Sequence, residues 1–147
     1  MIVYRIAARV YAGDLSGRGS SMYGGRWNPK GIPMVYTSAT LSLAALELAV
    51  NLPPGRIPNH YYAVEIRLPK RSNTEEIELP EQWNGYPYVP ATQQIGRNFI
   101  KSDGLILKVP SAVITTEYNY LINPNHPDMA SVTIKDQRPF LFDSRLK

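Results

Sequence analysis

This 147-residue chain predicts an α+β fold, on three observations. Strand-like apolar runs recur towards both ends of the chain, two segments carry helical spacing, and strands and helices do not alternate in the βαβ order of a doubly wound parallel sheet. With 44% hydrophobic residues the chain buries one ordinary core, so a single domain over residues 1–147 is expected. Its thirteen prolines and ten glycines are scattered. No polar tract marks a linker, and no internal repeat is present.

The elements follow in order. Met1 to Ile6 reads as a first strand and Pro33 to Thr37 as a second. Ser38 or Thr40 then caps a helix over "LSLAALELAV", in which Leu41, Ala44, Ala45 and Leu48 recur at i, i+3, i+4 and i+7, and the Pro53-Pro54 pair ends it. In "YYAVEIRLP" Tyr62, Val64, Ile66 and Leu68 alternate against Ala63, Glu65 and Arg67, the pattern of a half-buried strand. Lys70 to Pro90 reads as an irregular excursion. "TQQIGRNFIKS" predicts a second helix capped by Thr92, with Ile95, Phe99 and Ile100 inward. "LILKV", "VITTEYNYLI", "SVTIK" and "PFLFD" all read as strands, separated by "PS" and by the turn "NPNHPD" that contains His126.

Composition narrows the chemistry. The absence of cysteine excludes a disulfide framework and any thiolate ligand or nucleophile. His60 and His126 are the two imidazoles and lack HExxH-like spacing, so no metal is expected. The longest apolar stretch, Leu43 to Val50, is interrupted by Glu47 and too short to span a bilayer, while "MIVYRIAARVYAG" carries arginines where a secretory leader needs an apolar core. A cytoplasmic location without membrane contact is the expectation. The net charge of +4 favours an anionic partner, though no basic run marks a nucleic-acid patch.

Two features carry the candidate chemistry. The helix over 41–50 is apolar nearly all round, with Leu41, Ala44, Ala45 and Leu48 on one stripe, Leu43, Leu46 and Val50 on another, and Glu47 between them. That carboxylate must find a cation, take a proton, open into a cleft, or lie on a solvent-facing seam. The second feature is "GGRWNPKGIPMVYTS". Gly24 and Gly25 permit close backbone approach and a turn that offers N–H groups together with the planar fork of Arg26 to an anion; a tight turn ending in a surface arginine is the alternative.

"GGRWNPKGIPMVYTS", "LAALELAV", "TQQIGRNFI", "LKVPSAV", "NYLINPNHPDM" and "FDSRL", in that order along the chain, resemble the successive signatures of the RES domain family, named for its arginine, glutamate and serine. The three map to Arg26, Glu47 and Ser111. The resemblance implies a fold similar to the ADP-ribosyltransferase fold, with curved, mainly antiparallel sheets. It also implies a bacterial toxin that splits NAD between nicotinamide and ribose, with NAD as substrate and no resident cofactor. Water, phosphate or a protein side chain serves as acceptor among relatives. The partner implied is an Xre-type helix-turn-helix antitoxin that blocks the opening, forms a hetero-oligomer and supplies all contact with DNA.

On that reading Glu47 complements the oxocarbenium-like ribose, or bonds a ribose hydroxyl and orients the acceptor. Arg26 holds the pyrophosphate or a ribose hydroxyl and pairs with Glu47 in the empty protein. Tyr36 stacks on nicotinamide or donates to a ribose oxygen, with an ordinary core tyrosine as the alternative. Ser111 positions the nicotinamide amide or ribose, or is a turn residue, and without a GxSxG elbow it is no acyl nucleophile. Arg5 contacts phosphate or is a partly exposed strand arginine. Asn28 bonds its own backbone or touches substrate. Two other classes stay open: an RNA-binding or RNA-cleaving toxin, and an inert binding module on the same fold.

Overall fold

The computed structural model describes residues 1–55, 59–70 and 73–146. Among these residues seven strands form one sheet: β1 (Ile2–Ala8), β2 (Val35–Ser38), β3 (Tyr61–Arg67), β4 (Thr74–Glu76), β5 (Ile106–Pro110), β6 (Tyr118–Ile122) and β7 (Thr133–Phe140). Their spatial order is β4-β5-β6-β2-β1-β3-β7, antiparallel except for β4 beside β5. Among the described residues three α-helices accompany them: α1 (Arg18–Tyr23), α2 (Leu41–Val50) and α3 (Pro90–Lys101).

Residues opposite each other in a ladder share a face. The pairs Val35↔Ile122, Ile106↔Ile122 and Val3↔Ile66 therefore build one apolar face, which with Val64 and Leu68 makes the larger core. On the other face α3 covers Leu107 and Leu121 with Phe99, beside Trp27 and Met34. There α2 sets Ala45 and Ala49 against Phe142, Ile6 and Phe140.

Several boundaries differ from the expectations. Only Tyr118–Ile122 of "VITTEYNYLI" is strand. The residues before it form a turn in which the Ser111 N–H donates to the Glu117 carbonyl (2.9 Å) and the Ser111 Oγ accepts from the N–H groups of Val113 and Ile114, so a local hydroxyl replaces ladder bonds. Thr92 does not cap α3. Pro90 opens it after extended Val89, as suits a residue without an N–H, and Thr92 donates back to the Val89 carbonyl. The two strands expected over "SVTIK" and "PFLFD" are one, β7, whose position at the sheet edge tolerates Pro139. Helix α2 is capped by the Thr40 side chain, yet it is not enclosed all round: Val50 is 54% exposed.

Candidate active site

The sheet is split at its centre. β1 and β2 pair at Tyr4↔Ser38, the last residue of β2, and then diverge, so their facing edges open onto a cleft of about 820 Å³ instead of closing a ladder. Residues Tyr4 to Ala8 form one bank and Met34 to Ser38 the other. Over one end lies the stripe Ala44, Glu47, Leu48 and Asn51 of α2, spaced i, i+3, i+4 and i+7. The volume lies within the roughly 300–1,000 Å³ of small-molecule sites.

Glu47 is half-buried in this cleft and held by neutral donors. Its Oε1 accepts from the Ser111 hydroxyl at 2.6 Å and from the Asn119 amide at 2.8 Å. Ser111 Oγ already accepts two backbone N–H groups, so its own proton points to the carboxylate. The Asn119 carbonyl accepts in turn from Ser38 Oγ at 2.7 Å, which ties the end of β2 to the network. Both bonds fall on Oε1, and among the described residues Oε2 accepts none. This leaves one carboxylate oxygen for a ligand.

Tyr36 lines the cleft with its ring while its hydroxyl is fully engaged, accepting from the Trp27 N–H at 3.1 Å and donating to Asn28 Oδ1. Burial pushes its pKa well up, so it stays a neutral phenol. Stacking therefore remains open to Tyr36, whereas donation to a ribose oxygen would cost the bond to Asn28. Asn28 is fully buried and spends its amide on the carbonyls of Ser20 and Ile32, so its polar atoms serve the loop and do not reach the cleft. Gly25 is required here by space: a Cβ would stand 2.8 Å from the Tyr36 hydroxyl. Gly24 ends α1 at φ 73°, a positive φ that side chains other than glycine rarely adopt.

The expected pair of Arg26 and Glu47 does not form. Arg26 Nη1 donates to the carbonyls of Trp83 and Gly85 at 2.8 and 2.7 Å, and its guanidinium lies 4.8 Å from the centre of the Tyr88 ring. Three partners from residues 83–88 engage Arg26, and the carboxylate already has two donors. Arg26 thus straps the 83–88 segment to the loop that locks Tyr36. Ser111, at 0% exposure, reaches the cleft through Glu47 and not directly.

Arg5 does line the cleft. Its Nη1 donates to the Asp14 carbonyl at 2.7 Å, and burial pushes its pKa down against the raising effect of the nearby Asp14 charge. Hydrogen bonds from Ser16 hold the Asp14 carboxylate below its ordinary range, with smaller help from Arg5 and Arg18. Asn119 and Ser38 went unrecognised in the sequence. The available signal was a polar amide at 119 on the same strand face as Leu121. Among the described residues no cluster of three potential metal ligands occurs, and no helix is long and apolar enough to cross a membrane. His126 accepts from the Asp128 N–H through Nδ1 and directs Nε2 to the Asp103 carbonyl, a turn-holding role.

The profile of the RES domain matches residues 2–143. The chain belongs to the RES domain family. A relative from Sphingobium sp. (strain YBL2), named as the Prs ADP-ribosylating toxin, is 38% identical over 97% of this chain and 94% of its own. A protein named Toxin Res from Pseudomonas putida is 37% identical over 99% of both chains, and another of that name from Yersinia enterocolitica is 34% identical over the whole of both. The crystal structure of the M. tuberculosis MbcT-MbcA toxin-antitoxin complex contains a chain that superposes with a TM-score of 0.76 at 15% identity, covering 95% of this chain and 84% of that one. At that identity the likeness speaks for the fold.

Proposed function

We propose that this chain is the toxin of a toxin-antitoxin pair and cleaves NAD at the bond between nicotinamide and ribose. The observation that carries this reading is Glu47, a half-buried carboxylate in the central cleft, fixed by Ser111 and Asn119 through one oxygen, with no bond to the other among the described residues. The names of the relatives support it.

Nicotinamide in NAD carries a positive ring. When the C–N glycosidic bond breaks, the electron pair leaves with neutral nicotinamide and positive charge passes to the ribose. A preorganised carboxylate beside that sugar stabilises the charge where it develops. The acceptor oxygen then bonds the same carbon and loses its proton, to Glu47 or to solvent. Tyr36 supplies a flat wall, and Arg5 a cation for the pyrophosphate. The acceptor on this proposal is a protein side chain, which becomes ADP-ribosylated, supported by the name of the Sphingobium relative; water and phosphate are its competitors. The partner is an Xre-type helix-turn-helix antitoxin, which supplies any contact with DNA.

Purified protein incubated with NAD and cell protein as acceptor should release nicotinamide and leave total RNA intact. Glu47→Gln should lower the initial rate by about a hundredfold or more with unchanged thermal unfolding, the usual scale for losing such a stabilising group. Equal turnover in that variant removes Glu47 from the chemistry, and RNA breakdown would favour the nuclease reading. Mass spectrometry of products, with and without phosphate and with cell protein, identifies the acceptor.

A further inference from the structure

The cleft has a second end, away from Glu47, and its chemistry differs. From Met34, just before β2, to Ser38 at its end the extended chain covers about 13 Å at roughly 3.3 Å per residue. The Ser38 end holds Asn119 and Glu47. At the Met34 end, Ser20 of α1 bonds both the N–H and the carbonyl of Met34, which fixes α1 on the bank of β2. On the other bank β1 runs directly into a 3₁₀ turn, Arg9–Tyr11.

Each bank presents an exposed aromatic ring at this end. Tyr11 is 61% exposed and Tyr23, the last residue of α1, is 75% exposed, and both line the cleft. Neither belongs to a core cluster. Arg18, also on the cleft, opens α1, and its guanidinium makes no hydrogen bond or ion pair with the described residues. Two solvated aromatic rings and a cation that has only the nearby Asp14 charge, with no hydrogen bond among the described residues, are costly to order in water at the mouth of a cleft and of no use to the core. They suit a ligand with a flat heterocycle and a phosphate.

We propose that this end recognises the adenylate half of the dinucleotide, with Tyr11 and Tyr23 stacking on the base and Arg18 contacting the phosphate side. The assignment rests on the NAD reading above and divides the cleft into a reacting end and a recognition end. It makes Tyr11, Tyr23 and Arg18 determinants of substrate specificity.

The test compares NAD with nicotinamide mononucleotide, which has the same scissile bond and no adenylate. Wild-type protein should prefer NAD in kcat/KM by tenfold or more. Tyr11→Ala, Tyr23→Ala and Arg18→Ala should each lower kcat/KM for NAD, through KM, by on the order of tenfold more than for the mononucleotide. Tyr23→Phe keeps the ring and should keep the preference. Equal use of the two substrates by wild type, or equal losses on both in the variants, overturns the proposal. If wild type releases nicotinamide from neither, with cell protein and phosphate both supplied as acceptors, the catalytic reading fails and calorimetric binding of ADP-ribose decides the assignment. Weakened binding in the three alanine variants then upholds the recognition end, and unchanged binding overturns it.

Discussion

At Ser111 one hydroxyl does three jobs. It accepts from Val113 and Ile114 and donates to Glu47, so Ser111→Ala leaves two N–H groups short of an acceptor and the carboxylate short of a donor. Orphaned buried donors cost roughly 1–3 kcal/mol, and a carboxylate with one fewer anchor is less well aimed. The variant should unfold at lower urea and lose NAD cleavage mainly in kcat, whereas a raised KM alone would mark Ser111 as a substrate contact. Tyr36 offers a pH test. Burial pushes its pKa above the ordinary value near 10, so the folded protein keeps a proton that the unfolded chain releases. The stability carried by that proton is full below about pH 10 and is lost as pH climbs towards the folded value, by at most about 1.4 kcal/mol per pH unit. Tyr36→Phe removes this dependence while orphaning the Trp27 N–H and Asn28 Oδ1. The stability gap between wild type and variant, measured by urea unfolding, should therefore be widest near neutral pH and narrow above pH 10. A gap of constant size would place Tyr36 in a solvated setting.

Among the elements, those whose apolar period is strong were legible from sequence: β1, α2, β3, α3 and β5 lie within a few residues of their expected spans. Helix α1 was not, because Gly17 and Gly19 argue against a helix and nothing in "RGSSMY" has a helical period. What holds it is tertiary, the bonds from Ser20 to Met34 and from Asn28 to the Ser20 carbonyl, and one sequence cannot display such partners. Likewise the solitary Glu47 was readable as a group in need of a partner, but its partners, Ser111 and Asn119, come from 64 and 72 residues away. Arg26 was misplaced for the same reason: the carbonyls of Trp83 and Gly85 lie in the stretch that had no recognisable pattern. Its role as a strap belongs to this scale. Arg26→Ala should lower stability by about 1.5–3 kcal/mol, the worth of charge-assisted hydrogen bonds, and expose residues 83–88 to protease. Arg26→Lys, with a point charge for a planar fork, should recover only part of that. Unchanged stability and protease resistance combined with a raised KM for NAD would instead mean that the guanidinium serves the substrate, as the sequence first suggested.

For the molecule as a whole, the decisive fact is where the cleft lies. Surface grooves can be filled without consequence for the fold, but this one separates the two central strands of a seven-stranded sheet, β2 on the side of α3 and β1 on the side of β7. The strands beyond them are well paired, with seven residue pairs between β1 and β3 and four between β2 and β6. The weak seam in the backbone ladder is therefore internal, and a ligand in it takes over the role of missing ladder bonds between two halves that share one strand pair, Tyr4↔Ser38, beside the larger core and the helices. Binding should then stabilise globally. At a hundred times its dissociation constant a ligand adds about 2.7 kcal/mol, which for a chain of this size raises Tm by roughly 5–10 °C. ADP-ribose, which lacks the scissile bond, isolates this effect from turnover. Hydrogen exchange should slow at the amides of Arg5 to Ala8 and of Val35 to Thr37 together, because both edges face the same occupant. Protection confined to one edge, or to α1 alone, would show a ligand resting on a bank instead of spanning the seam, and the proposed division of the cleft into reacting and recognition ends would then lack its physical basis.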